Sequence, residues 1–175
     1  MGEANIVKRL AVAIATGFYL SYIPVRLLRF LPWAQNLERP ERRWTGAGFV
    51  GTLLGWASIL ILPRDPWPYA TILFVGVLGA CWTSTIAERE FGVKDDSRII
   101  IDEVVGYWTA VAFLPRSWSC LLAGFILFRF FDVVKWPPYC WLEQLPEGYG
   151  VVMDDVGAGV VANLILQVAV SKGFA

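Results

Sequence analysis

The stretch that decides the fold class is Trp44–Ala87, "WTGAGFVGTLLGWASILILPRDPWPYATILFVGVLGACWTSTIA". It contains two charge-free runs, Trp44–Pro63 of roughly 20 residues and Pro66–Ala87 of roughly 22, and each approaches the length that crosses a hydrocarbon core of about 30 Å. Between them, "PRDP" combines two prolines with two charges, which is typical of a polar turn. We therefore predict a transmembrane hairpin over residues 44–87.

The composition of the whole chain supports a membrane protein. Apolar residues make up 57% and charged residues 17%, whereas soluble domains are usually near half apolar and a quarter charged. The mean hydropathy is +0.54. The length suits one membrane-embedded domain over residues 1–175. The net charge of zero gives no electrostatic case for binding nucleic acid, and no feature indicates an obligate protein partner.

The remaining apolar runs predict further helices. Leu10–Val25 is expected to form a first spanning or interfacial helix rather than a signal peptide. Val104–Leu114 and Ser117–Phe131 are short and are interrupted at Pro115, which predicts two helices with a bend. Val156–Ser171 closes the series. Since no strand alternation is visible, we expect an all-α integral membrane bundle of about five to seven helices, some too short to span alone.

A basic loop follows the first apolar run, and such loops near spans tend to face the cytoplasm. This predicts a multi-pass protein whose active site faces the cytoplasm. The loop contains Arg26, Arg29, Arg39, Arg42 and Arg43.

The residue types restrict the chemistry. The chain has no histidine, which excludes Ser-His-Asp triads, phosphohistidine and His-ligated zinc. Cys81, Cys120 and Cys140 are far apart and form no CxxC pair, so we interpret them as inert thiols. Carboxylates, Lys, Arg and hydroxyls remain, and this set favours a hard metal ion bound by oxygen.

Three polar islands lie in the motif-bearing region 88–162. In the first, "KDDSRIIIDEVVG", Asp102 and Gly106 are one helical turn apart, and Glu103 lies about 100° around the helix. In the third, "GYGVVMDDVGAG", Asp155 and Gly159 repeat that spacing. A glycine one turn below a carboxylate allows another helix to approach closely. Two helices that cross at these glycines would bring Asp102 and Asp155 together.

The second island, "FRFFDVVKWPP", contains Arg129, Asp132 and Lys135 on one side of a helix with large apolar neighbours. A charge in such surroundings usually faces a bundle interior or a water-filled cavity. Acids packed together are costly unless a cation neutralises them, and Mg²⁺ suits carboxylates, water and substrate phosphate. The islands together predict cleavage or transfer of a phosphate group on a lipid.

The islands resemble the signature of phosphatidylglycerophosphatase A in "KDDSRIIIDEVVGYW", "FILFRFFDVVKWPP" and "GYGVVMDDVGAGVVA", over roughly Ala87–Ala162. The resemblance implies an all-α, Mg²⁺-dependent enzyme of the bacterial inner membrane that removes the terminal phosphate of phosphatidylglycerol phosphate. The matching positions are Asp95, Asp102, Glu103, Gly106, Arg129, Asp132, Lys135, Asp154, Asp155 and Gly159.

The N-terminal half departs from the family pattern. The family's Pro-Gly-Thr stands here as Ala47-Gly48-Phe49, so Thr45 or Thr52 would have to replace its threonine. The family's Lys-Pro-x-Pro is altered to Lys135-Trp136-Pro137-Pro138.

Our hypothesis for the mechanism is that Asp102 and Asp155, assisted by Glu103 and Asp154, hold one or two Mg²⁺ ions that activate a water for attack on phosphorus. Arg129 would neutralise the developing charge, and Lys135 would contact the second phosphate. The candidate catalytic residues are Asp95, Asp102, Glu103, Asp132, which orients Arg129, and Asp155. The candidate substrate contacts are Arg129, Lys135, Lys94 and Thr52.

Several alternatives remain open from the sequence. One Asp could act as a covalent nucleophile. A different lipid-phosphate phosphatase or a transferase is a rival, although the DGxxAR and GxxxDxxxD patterns of CDP-alcohol phosphotransferases are absent. A small transporter or channel with an acidic cation path is a second rival, and a membrane protein that has lost activity is a third.

Overall fold

The computed structural model describes residues 2–28, 46–135, 137 and 139–174, and over these residues the chain forms seven α-helices, one 3-10 helix and no strand. The α-helices are α1 (Glu3–Ala15), α2 (Tyr22–Leu28), α3 (Ala47–Ser58), α4 (Pro66–Phe91), α5 (Ile101–Ala110), α6 (Trp118–Val134) and α7 (Gly148–Ser171), and the 3-10 helix is Tyr139–Gln144. The prediction of an all-α bundle with some short helices is confirmed.

Within the described ranges, two helices are long and apolar enough to cross a membrane, and both fit a transmembrane protein. They are α4, with 26 residues and a mean hydropathy of 1.7, and α7, with 24 residues and a mean hydropathy of 1.6. α4 begins with proline at its first turn and ends at Gly92, whose left-handed backbone closes the helix.

The first arm of the predicted hairpin is helical only over α3. Its 12 residues extend about 18 Å, which is less than the roughly 30 Å of a hydrocarbon core. The chain then turns through residues 59–65 into α4. Arg116, from the predicted break at Pro115, donates hydrogen bonds to the carbonyls of Ile59 (2.8 Å) and Leu62 (2.7 Å) in that turn. The spanning hairpin itself stays a prediction.

Two predicted boundaries differ in the structure. The run Leu10–Val25 is divided between α1 and α2, because Gly17, Phe18 and Tyr19 adopt left-handed backbone conformations. The last helix begins at Gly148, before the predicted Val156, so Asp154 and Asp155 lie inside α7 rather than ahead of it.

Glycines allow α5 to pack closely between α3 and α7. A Cβ at Gly55 of α3 would lie 3.1 Å from the carbonyl oxygen of Val104. A Cβ at Gly106 of α5 would lie 3.0 Å from the Cβ of Asp155. The predicted approach of two helices at Gly106 and Gly159 is therefore present, because a Cβ at Gly159 would overlap the carbonyl oxygen of Gly106.

The short helix α5 depends on α7 to satisfy its C-terminal end. The side-chain amide of Asn163 donates to the carbonyl oxygens of Ala110 (3.0 Å) and Ala112 (2.9 Å). Backbone carbonyls outside a helix need hydrogen-bond donors of this kind inside an apolar bundle, because lipid tails offer no donor. α5 is thus a half-length helix whose acidic N-terminal end faces the interior of the bundle.

Candidate metal and phosphate site

Three acids converge where α5 and α7 cross. Asp102 and Glu103 lie in the first turn of α5, and Asp155 lies about two turns into α7. One carboxylate oxygen from each residue lies within 4.8 Å of the others. The side chains of Asp102 and Asp155 are buried, and Glu103 is half-buried. The structure therefore brings together the two aspartates that the sequence predicts to meet, with Glu103 beside them.

Each of these acids has a buried oxygen that lacks a hydrogen-bond partner among the described residues. The atoms are Oδ1 of Asp102, Oε2 of Glu103 and Oδ2 of Asp155. Clustered, desolvated carboxylates with free lone pairs fit a hard divalent cation such as Mg²⁺.

Arg129 of α6 lies beside this cluster and is held by three neighbours. Its Nη1 is 2.7 Å from Oδ2 of Asp132 and 3.7 Å from Oε1 of Glu103. The same nitrogen donates to the Thr52 hydroxyl at 3.3 Å. A Cβ at Gly48 would lie 3.1 Å from Nη1 of Arg129, so the absent side chain leaves space for the guanidinium. The predicted orienting role of Asp132 agrees with this geometry.

A second cation, Lys135, is fixed at the end of α6. Its backbone is left-handed (φ 46°), and its Nζ is 2.8 Å from Asp154 and 3.3 Å from Glu143. Burial alone would lower the pKa of Lys135, but the hydrogen bond and negative charge of Asp154 outweigh it and raise the pKa. Lys135 is therefore a stable cation near neutral pH.

These groups share one cavity of about 1120 Å³. Its polar lining consists of Asp95, Asp96, Ser97, Asp102, Glu103, Arg129, Asp132, Lys135, Glu143, Asp154 and Asp155. Asp95 reaches the cavity from the loop before α5, where its backbone is left-handed (φ 53°) and its N–H donates to Glu88 at 2.7 Å.

The structure separates some of the predicted site residues from the acid cluster. Asp154 lies outside the three-acid group and pairs with Lys135. Lys94 is exposed, does not line the cavity, and donates to the carbonyl oxygen of Glu143 at 2.8 Å. Thr52 is fully buried and reaches the site only through Arg129.

Some of the sequence predictions concern residues outside the described ranges. These residues are Arg29, Arg39, Arg42, Arg43, Thr45, Trp136 and Pro138.

Glu143 is a residue that sequence reasoning missed. It lies in the 3-10 helix and forms an ion pair with Lys135 at the cavity. A single acid in "YCWLEQ" has no helical periodicity that could link it to the islands. Only the fold of the 3-10 helix against α7 shows the pairing.

The fold and the site define a class of helical proteins with membrane-length helices. In this class, carboxylates lie beside an arginine and a lysine in one cavity, an arrangement suited to phosphate chemistry. Within that class, the chain belongs to the phosphatidylglycerophosphatase A family, whose model matches residues 13–170. The resemblance noted in the three islands is thereby confirmed over most of the chain.

The proteins similar to this chain are named after two different substrates. A phosphatidylglycerophosphatase A of Haemophilus influenzae is 35% identical over 70% of this chain and 75% of its own length. The Escherichia coli phosphatidylglycerophosphatase A is 30% identical over 68% and 71%. A putative phosphatidylinositol-3-phosphatase of Bacteroides thetaiotaomicron is 31% identical over 91% and 93%. No solved structure matches the chain.

Proposed function

We propose that this protein hydrolyses the terminal phosphomonoester of phosphatidylglycerol phosphate to give phosphatidylglycerol and inorganic phosphate. The observation that carries the proposal is the convergence of three acids from α5 and α7, two of them buried, next to Arg129 in one cavity. Membership of the phosphatidylglycerophosphatase A family and the names of two relatives support this reaction.

Mg²⁺ is the proposed cofactor. Asp102, Glu103 and Asp155 would hold it, because their unpartnered oxygens supply the ligand type that this ion prefers. The bound ion would supply Lewis-acid polarisation of the phosphoryl oxygens. Asp154, which the sequence predicts as a further ligand, has one oxygen 2.8 Å from Lys135 and a second, buried oxygen without a partner among the described residues. In this proposal it holds Lys135, because it lies outside the three-acid group.

The cations of the chain would bind and orient the substrate. Arg129 presents a planar donor group next to the acid cluster and would stabilise the negative charge on the transferring phosphoryl group. Asp132, 2.7 Å away, fixes the direction of that guanidinium. Lys135 lines the same cavity and would bind the phosphodiester of the lipid.

Phosphatidylinositol 3-phosphate is the second candidate substrate. The relative that carries this activity in its name matches more of the chain than the two phosphatidylglycerophosphatases do. In both lipids a polyol links a phosphomonoester to a phosphodiester. Arg129 and Lys135 could therefore bind the two phosphate groups of either lipid.

We propose the bacterial inner membrane as the location, with several spans and the cavity on the cytoplasmic side. α4 and α7 support insertion in a membrane. Arg26, in the last turn of α2, is the described member of the predicted basic loop.

The decisive experiment measures phosphate release by the purified protein in detergent from both lipids, with Mg²⁺ and with EDTA. We expect Mg²⁺-dependent release with a higher kcat/KM for phosphatidylglycerol phosphate. Faster release from phosphatidylinositol 3-phosphate would transfer the assignment to the second substrate. Absence of release from both lipids would refute the phosphatase assignment.

A further inference from the structure

The cavity at the site has two walls of unlike chemistry. The polar wall contains the acids, Arg129 and Lys135, as described above. The apolar wall comes mainly from α6, together with Phe49 of α3, and its residues are Phe49, Ile99, Phe125, Ile126, Phe130, Val133, Val134 and Val151. A phosphate headgroup would use only the polar wall, so the apolar wall calls for a separate explanation.

The apolar wall continues to the outer surface along α6. Ile126, Phe130 and Val133 are spaced i, i+4 and i+7, which places them on one stripe of the helix. They are 59%, 52% and 45% exposed, and all three line the cavity. Arg129 lies one residue before Phe130 and points inward to Glu103. α6 therefore contributes the cation Arg129 to the site. It also carries an apolar stripe that runs from the site to the surface.

α3 forms the other side of this opening. The Phe49 ring meets the Phe125 ring edge to face, with centroids 5.3 Å apart and an interplanar angle of 79°. Phe49 is itself half-exposed. Its neighbour Gly48 leaves the space next to Arg129 free of a side chain. The two rings thus lie at the boundary between the surface and the charged part of the cavity.

We propose that the groove between α3 and α6 binds an acyl chain of the lipid substrate, so that the lipid enters sideways from the membrane with its phosphate leading. This proposal rests on the proposed function and adds the site of the hydrophobic part of the substrate. The cavity of about 1120 Å³ exceeds the roughly 300–1,000 Å³ of ordinary small-ligand pockets. Other exposed apolar residues, such as Phe74 of α4, do not line the cavity, so continuity with the charged site selects this groove.

The test compares a diacyl substrate with its deacylated headgroup, which carries the same phosphomonoester and no acyl chain. Ile126→Trp narrows the groove and replaces no residue of the charged wall. We expect it to raise KM for the diacyl lipid by about tenfold, because the larger ring takes up space that an acyl chain would occupy, and to change kcat/KM for the deacylated headgroup by less than about twofold. Ile126→Asn, which adds no bulk, is expected to act in the same direction. Ile165→Trp, on an apolar exposed position of α7 away from the cavity, is the matched control.

The outcomes separate the two proposals. Activity of the wild type on both substrates, with a KM increase for the diacyl lipid in the Ile126 variants alone, supports the groove. Equal effects on both substrates, or equal effects of Ile165→Trp, would overturn it and leave the phosphatase assignment intact. A changed oligomeric state with unchanged KM would make this face an interface between copies instead. Wild-type inactivity on both substrates would refute the proposed function itself.

Discussion

The carbonyl oxygen of Gly106 in α5 lies directly against Gly159 in α7, and there is no space between them for even a methyl group. This contact sets the distance between the two helices that carry the acid cluster. Asp102 lies one turn before Gly106, and Asp155 lies one turn before Gly159. The glycine pair therefore determines how close the acids approach each other.

Gly159→Ala is expected to push α5 and α7 apart and to disturb the cluster. Overpacking of this kind costs about 1–3 kcal/mol of stability, and we expect phosphate release to fall by about tenfold or more because catalytic groups must be held closely. The measurement is kcat/KM together with the thermal midpoint in detergent. Gly79→Ala is the control, because a Cβ at Gly79 meets nothing within 4 Å. Similar losses in both variants would contradict the special role of the contact.

Asp102→Asn and Asp155→Asn are each expected to reduce phosphate release by about a hundredfold or more, since each removes one of the charges that would hold the cation. Neither should unfold the protein, because the amide removes an unpaired buried charge. Thermal unfolding with Mg²⁺ and with EDTA gives a second measurement. We expect Mg²⁺ to raise the midpoint of the wild type and not that of either variant.

The control for the aspartate variants is Asp65→Asn, at the exposed start of α4. It should retain both activity and the stabilisation by Mg²⁺. If the Asp102 and Asp155 variants kept full activity, the assignment of the acid cluster as the metal site would be refuted.

Arg129→Lys should lower kcat strongly, by about ten- to a hundredfold. A lysine keeps the charge but loses the planar guanidinium with its several donors, of which Nη1 contacts Asp132, Glu103 and Thr52. Steady-state kinetics on the lipid would show the effect in kcat. Arg89→Lys changes an arginine of an exposed ion pair with Glu147 and should have almost no effect. An unchanged rate for Arg129→Lys would reduce Arg129 to a structural role.

Asp154→Asn should act differently from Asp155→Asn although the two residues are adjacent. Asp154 holds Lys135 at 2.8 Å, so its loss is expected to raise KM by about fivefold to tenfold through a displaced lysine, with a smaller change in kcat. Lys135→Met should show the same pattern. Loss of Mg²⁺ stabilisation in Asp154→Asn would instead place this residue among the metal ligands.

The sequence predicted the acid cluster well because its signal is local. Asp102 and Asp155 each precede a glycine by one turn, and helical geometry turns that spacing into a crossing point. It also predicted the side of α6 that carries Arg129 and Asp132, for the same reason. The pairing of Asp154 with Lys135 could not be predicted. Adjacent residues on a helix differ by about 100°, and only the neighbouring elements decide which one faces which partner.

The boundaries of the helices were less predictable. Hydropathy marks where a chain is apolar, but α3 ends at Ser58 although the apolar run continues to Pro63. The split between α1 and α2 depends on left-handed residues at Gly17, Phe18 and Tyr19, two of which are aromatic and give no turn signal. Glu143 and the apolar groove depend on tertiary contacts alone.

The capping of α5 by Asn163 has a consequence for biosynthesis. The C-terminal carbonyl of α5 at Ala110 precedes its partner by 53 positions in the chain, so the ribosome exposes the half-helix long before α7 emerges. Until then, the carbonyl groups at the C-terminal end of α5 have no side-chain amide to accept from. This end of the helix therefore cannot settle stably in the lipid interior. Because Asp155 lies on α7 as well, the acid cluster assembles only after the last described helix has been made.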